Sequence, residues 1–244
     1  MSQSLGAYFQ CYKNPFSTYK CLESFRKFYP DSTIVLLSND GYDYSEMAKY
    51  FNCIYIHEYE SATFVYYITN DDTYIINTNK LVDRVKKVFN VIKEDYIIWL
   101  EDDVSVNNLI QDTFKFDING FSPNKIPIEE LQKKYTFLNN NTEYKFSGHG
   151  GSVFNKKSCL NYLNNKEIID DVLVNWKKYF CYNFIAHDLF LSIIVTLNNG
   201  IIGSYNGHYD SFYHNQNIII QHQYKYYYDQ PIPENIKHLF YDKL

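Results

Sequence analysis

Three consecutive acids, Glu101, Asp102 and Asp103, follow the apolar and aromatic run Tyr96-Ile-Ile-Trp-Leu100 and precede Val104. In an extended chain residues i and i+2 point the same way, so a strand ending here presents paired carboxylates where the backbone turns. Hard oxygens so paired, with room for water or phosphate oxygens, are what Mg²⁺ or Mn²⁺ requires. A plain acidic turn is the alternative, and three acids directly after a buried run weigh against it. Four further groups could do chemistry. Asp188 stands where an apolar helix begins, as a simple N-cap worth about 1 kcal/mol or as a proton acceptor. The helix terminus would lower its basicity, and a dry pocket would raise it. Ser147-Gly-His-Gly-Gly-Ser152 removes side-chain bulk at Gly148, Gly150 and Gly151, either to admit a ligand against the backbone or to form a tight turn. His149 has no ligand pattern around it. His222 closes the apolar run Ile218-Ile-Ile220-Gln221 and is followed by Lys225, an ammonium suited to phosphate. Asp40, before Gly41, reads as a ribose or base acceptor and equally as a turn former. Tyr12 could stack on a base or cap the core.

These residues sit at the ends of elements that the apolar periodicity predicts. Strands are expected at Leu5–Cys11, Thr33–Leu37, Cys53–His57 and Tyr96–Leu100, and helices at Phe16–Tyr29, Ser45–Phe51 and Asn79–Lys93. Strands alternating with helices imply a mainly parallel α/β sheet, whose ligands lie beyond the carboxyl ends of the strands. Those ends carry Tyr12, Asp40, Glu58 and the acid triplet. The second half reads as polar loops over 105–146 with one helix at Ile128–Tyr135. A strand at Ser152–Phe154, an apolar helix at Asp188–Leu197, loops over Gly203–Asp210 and a strand at Ile218–Ile220 complete it. One domain is expected, with residues 1–104 as a nucleotide-binding half and 105–244 as an acceptor-binding and catalytic half.

The 244 residues carry a net charge of −5, so no global basic field exists to hold nucleic acid or an anionic membrane surface. An anionic ligand must be held locally, by a cation, backbone amides or single lysines. The five cysteines form no metal-like spacing and read as reduced core thiols of a cytoplasmic protein. No secretory leader is legible at Met1, and no apolar run is long enough to span a membrane. The wealth of Tyr, Asn, Ile and Lys fits an AT-rich genome, such as that of a large DNA virus, and carries no chemistry.

The string Tyr96 to Val104 resembles the DxD-type motif of GT-A glycosyltransferases in an LEDDV form. Tyr12-Lys-Asn-Pro15, Ser24 to Pro30 and Ile34 to Asp40 look like the nucleotide-binding half of glycosyltransferase family two. The resemblance implies a Rossmann-like GT-A sheet and a nucleotide-diphosphate sugar donor, a UDP-sugar being favoured, with a glycan or other hydroxyl acceptor. It implies Asp103 as a ligand of Mn²⁺ or Mg²⁺, and Glu101 or Asp102 on ribose or a metal-bound water. Glu101 stands where the family usually has Asp, which leaves the division of roles open. Phe184-Ile-Ala-His-Asp-Leu-Phe-Leu-Ser192 is similar to the segment bearing the family's catalytic base, implying Asp188 rather than His187. His222-Gln-Tyr-Lys225 resembles the element in which a histidine completes the metal shell and a basic residue meets the pyrophosphate. Gly150 and Gly151 would line the donor sugar. Inverting transfer is the expected reaction. A retaining transferase, a sugar-phosphate nucleotidyltransferase and a silent sugar-binding or particle-surface protein are the competitors. The second of these would need a glycine-rich basic loop after the first strand, and Gln10 to Pro15 has no glycine.

Overall fold

The computed structural model describes residues 4–39, 41–59, 65–69, 71–121, 124–139, 142–215, 217–228 and 230–240. The first half contains β1 (Leu5–Cys11), α1 (Pro15–Phe28), β2 (Ile34–Asn39), α2 (Ser45–Tyr50), β3 (Ile54–Glu58), β4 (Val65–Tyr67), α3 (Thr73–Val91) and β5 (Tyr96–Leu100). The second half contains β6 (Ser105–Val106), β7 (Ile118–Asn119), β8 (Asn124–Lys125), β9 (Lys145–Phe146), β10 (Val153–Asn155), α4 (Lys156–Leu163), α5 (Lys166–Val174) and α6 (Trp176–Phe180). It ends with β11 (Phe184–Ala186), α7 (His187–Leu197), β12 (Ile202–Gly203), β13 (His208–Asp210) and β14 (Ile220–His222).

One seven-stranded sheet, ordered β12-β7-β10-β5-β1-β2-β3, organises the chain. β1 pairs in parallel with both β2 and β5, and β2 with β3. The alternation of side chains divides the core. Tyr8, Val35, Leu37, Ile97 and Trp99 pack with α3 and α7, while Ala7, Phe9, Leu36, Ile98 and Leu100 pack with α1 and α2. Buried on both faces, these strands need continuous apolar sequence. Pro15 starts α1 without forfeiting a bond, because its missing N–H belongs to the unpaired first turn. Trp99 is fully buried, edge-on to Tyr8 at 4.4 Å. Its truncation to Ala would cost about 3–5 kcal/mol.

Several elements differ from the sequence expectation. β10 inserts antiparallel between β5 and β7, so the parallel sheet is interrupted at its centre. α3 starts at Thr73, well before Asn79, because buried Tyr74 and Thr78 extend its apolar face. Only a 3-10 turn, Leu131–Lys133, forms within 128–135. The stretch 203–210 holds β13, and the last strand is displaced to Ile220–His222. Helices α4 and α5, unforeseen, are each capped by an asparagine, Asn155 and Asn165, accepting a backbone N–H. Cys181 is exposed rather than a core thiol, whereas Cys11, Cys21 and Cys159 are buried. Among the described residues no helix is long and apolar enough to cross a membrane.

A second sheet of three strands, β13-β14-β6, assembles the site. β6 follows the acid triplet directly, and β14 pairs antiparallel with it. The chain that leaves β5 therefore meets the chain that carries His222.

Candidate functional site

The main-chain turn after β5 is closed by Val104 N–H donating to the Glu101 carbonyl at 3.0 Å. Glu101 and Asp103 then share one side, and Asp102 faces another. The pairing of β14 with β6, together with Tyr224 N–H donating to the Asp103 carbonyl at 2.9 Å, draws His222 over the first two. His222 Nε2 lies 3.4 Å from Glu101 Oε2 and 3.5 Å from Asp103 Oδ1. Ligand atoms of Glu101, Asp103 and His222 all fall within 4.8 Å of one another. Asp103 is buried, and among the described residues its Oδ1 accepts no hydrogen bond. Two carboxylates, one of them with an orphaned buried oxygen, and one imidazole fit a hard or borderline divalent cation.

The electrostatics agree with that fit. Burial pushes the Asp103 carboxyl up to about 6, helped by Glu101 and Asp102 and opposed by His222 and Lys225. Burial alone would lower His222, but its bond to Asp210 and the nearby Glu101 and Asp103 raise it to about 10. The cluster thus lacks positive charge, and the imidazole takes up a proton to supply it. Asp210 Oδ1 lies 2.9 Å from His222 Nδ1, which fixes the ring with Nε2 toward the carboxylates.

Both oxygens of Asp102, expected on ribose or a bound water, accept hydrogen bonds from protein. Tyr228 donates to Oδ1 at 2.6 Å and Asn14 to Oδ2. The carboxylate braces the turn after β1 and the C-terminal segment against β5. Glu101, expected on ribose or a bound water, lies among the candidate cation ligands. Lys225 Nζ is 3.9 Å from Asp103 Oδ2 on a half-exposed side chain, free to swing to a phosphate. Tyr12 is 43% exposed at the end of β1, its carbonyl held by Tyr42 N–H and the Tyr44 hydroxyl. Lys13 Nζ lies 4.9 Å from the centroid of the Tyr12 ring. Asp40 lies outside the described residues.

The glycine segment, expected to line the donor sugar or to form a tight turn, packs against β14 and β13. A Cβ at Gly150 would stand 2.3 Å from His222 Cδ2, so this glycine makes room for the imidazole. Gly151, with φ +82°, turns the chain beneath Ile220 and His208. His208 Nδ1 accepts from Phe121 N–H at 2.9 Å and its Nε2 donates to the Gly150 carbonyl at 2.9 Å, a fixed neutral tautomer supporting the turn. Gly148 faces open space.

A cavity of about 240 Å³ joins Glu101, His222 and Gln223 to Gly148, Ala186, Val65 and Asp188. Asp188 is in the first turn of α7 but is not its N-cap, which is Ala186. Its Oδ1 accepts the adjacent Leu189 N–H at 2.8 Å. Burial pushes its carboxyl up to about 6, against that backbone bond and with Glu101 adding to it. His187 packs against Tyr66 at 4.8 Å and is held neutral by burial. Asn14, Asp210 and Tyr228 were missed by sequence reasoning. Asp210 was legible only as the residue that β-pairing sets opposite His222. A larger cleft of about 650 Å³, lined by Tyr29, Glu94 and Gln111, lies at the opposite ends of the strands and holds none of these residues.

No family sequence model and no curated protein sequence matches the chain. Solved structures do match its fold. The galactosyltransferase LgtC, solved with donor and acceptor sugar analogs, superposes at a TM-score of 0.52, covering 96% of this chain and 99% of that one at 12% identity. An active-site mutant of LgtC superposes at 0.50, covering 92% and 88% at 14% identity. The chain has the GT-A glycosyltransferase fold.

Proposed function

We propose that the chain is a glycosyltransferase that moves a sugar from a nucleoside-diphosphate sugar, a UDP-sugar being favoured, onto an acceptor hydroxyl with inversion. The observation carrying this reading is the convergence of His222 on Glu101 and Asp103 beside a cavity that also holds Asp188. Glu101, Asp103 and His222 would hold Mn²⁺ or Mg²⁺, and the cation supplies positive charge for the departing diphosphate. Lys225 reaches the same phosphates from the rim. Tyr12, at the end of β1, offers its exposed ring to the nucleobase.

Asp188 accepts the acceptor's hydroxyl proton as that oxygen bonds to the anomeric carbon. The carbon–oxygen bond to the diphosphate breaks, and its electron pair leaves with the nucleotide. A carboxyl raised to about 6 is a stronger base than an ordinary aspartate and still ionised near pH 7. No glycine-rich basic loop follows β1, which disfavours nucleotidyl transfer from a triphosphate.

The test is turnover of a nucleotide-sugar panel with Mn²⁺ and with chelator, with the product's anomeric configuration read by NMR. Transfer that needs the cation and inverts the anomeric centre is expected. Cation-independent turnover would remove the metal assignment, and a retained configuration would remove Asp188 as base.

A further inference from the structure

Strands β4 and β11 form a separate two-stranded antiparallel ribbon with Val65 opposite Ala186, Tyr66 opposite Ile185 and Tyr67 opposite Phe184. Alternation gives it two faces. Tyr66 and Ile185 are 7% and 0% exposed and belong to the core. The other face starts with Val65 and Ala186, in the wall of the cavity that holds Asp188. Two residues outward on each strand, about 7 Å by strand rise, it presents Tyr67 and Phe184, 73% and 37% exposed. Tyr182 continues the row, stacked on Phe184 at 5.6 Å with planes 20° apart. Beyond it Tyr182 enters a cleft of about 610 Å³, whose walls include Lys125, Thr142 and Glu143.

Resting on the transferase reading, we propose that this aromatic face is the acceptor subsite and that the acceptor is an oligosaccharide. Its terminal hydroxyl lies at Asp188 and its next ring stacks on Tyr67 and Phe184. The C–H face of a pyranose is apolar with a positive edge, matching the negative face of an aromatic ring. Its hydroxyls stay in water or meet the polar walls of the outer cleft. The outer cleft mixes Ile126 and Pro127 with Thr142 and the Lys125–Glu143 ion pair at 3.7 Å, the blend of apolar and hydrogen-bonding surface that a sugar ring presents in return. The exposed rings are not filling the core, so they are accounted for by a ligand continuous with the reaction cavity.

The experiment uses wild type, Tyr67→Ala, Phe184→Ala, Tyr67→Phe and the remote control Tyr50→Ala. Tyr50 is 57% exposed on α2, away from the ribbon. Lactose, cellobiose, maltose and chitobiose serve as probes, by ligand-observed saturation-transfer NMR and as acceptors with donor and Mn²⁺. Each alanine variant should raise acceptor KM about tenfold with kcat at saturating acceptor kept, the loss of one ring face. Saturation transfer should fall in parallel, Tyr67→Phe should restore both, and Tyr50→Ala should change neither. Unchanged KM and saturation transfer in both alanine variants would overturn the subsite, as would a wild type that binds none of the four sugars. Absence of any turnover in wild type would defeat the transferase reading alone. The NMR series would then decide the platform by itself.

Discussion

Replacing Gly150 with alanine should dislodge a residue that is distant in sequence. The added Cβ would stand 2.3 Å from His222 Cδ2 and 2.4 Å from Nε2. Carbon contacts settle near 3.5 Å, so the imidazole must retreat by about 1 Å. The ring cannot swing freely, because Asp210 holds Nδ1 at 2.9 Å. Ligand distances tolerate about 0.2 Å, so a displacement of that size removes His222 from the cation. Affinity for Mn²⁺ in the presence of nucleoside diphosphate should drop about 10–100-fold, or about 1.4–2.7 kcal/mol. Calorimetry on wild type, Gly150→Ala, His222→Ala and the double variant measures it. The double variant should be no weaker than His222→Ala, since both lesions remove one ligand. Gly148→Ala, whose Cβ meets nothing within 4 Å, should bind Mn²⁺ normally. Wild-type affinity in Gly150→Ala, or additive losses in the double variant, would refute the reasoning.

Asp103→Asn should abolish cation-dependent turnover and weaken Mn²⁺ more than His222→Ala does, because it removes a charge as well as a ligand; equal calorimetric affinities would contradict this. Asp210→Asn should lower Mn²⁺ affinity about tenfold by loosening the imidazole, and unchanged affinity would leave Asp210 without a role there. Asp188→Asn should cut transfer by roughly 10²–10⁴ with donor binding intact, as kinetics and calorimetry would report. The same variant has a signature in stability. With a folded value of about 6 against an ordinary 3.8, Asp188 binds more protons folded than unfolded across that window. Its ionisation therefore destabilises the fold as pH rises through the window, by up to about 3 kcal/mol at pH 7. Denaturant unfolding should find Asp188→Asn more stable than wild type at pH 7 and the gain absent near pH 3.5; a pH-independent difference would be inconsistent with the raised carboxyl.

The first hundred residues were largely legible because β1, β2 and β5 are buried on both faces and the helices on one. The periodicity that placed β1, β2, β3 and β5 is also what packs them. The position of the triplet was legible for the same reason, since the buried run ending in Trp99 and Leu100 gives way abruptly to three acids where the strand ends. The division of labour within it was not. Glu101 joins Asp103 because they are two residues apart, but Asp102 is claimed by Asn14 and Tyr228, residues 88 and 126 positions away in sequence. No local pattern announces a bond of that span. At Gly150 the missing side chain reads equally as space for a ligand or as a tight turn, and only the fold shows β14 bringing His222 within 2.3 Å of where a Cβ would stand. The short strands β13 and β14 were blurred because two or three residues carry too little alternation to mark their ends.

The brace at Asp102 also imposes an order of events on the nascent chain. The triplet leaves the ribosome more than a hundred residues before His222, Lys225 and Tyr228. A chain synthesised only through α7 has the central carboxylates but lacks both the imidazole facing them and the phenol that holds their turn. The contacts that finish the site are among the longest in sequence, and closing them costs the most chain entropy. The candidate site is therefore completed last, when the C-terminal segment docks, although β1, β2, β3 and β5 have all been made by residue 100. Loss of His222 and the segment after it would remove the imidazole facing Glu101 and Asp103 and the phenol bonded to Asp102, together with the core residues Ile236, Leu239 and Phe240.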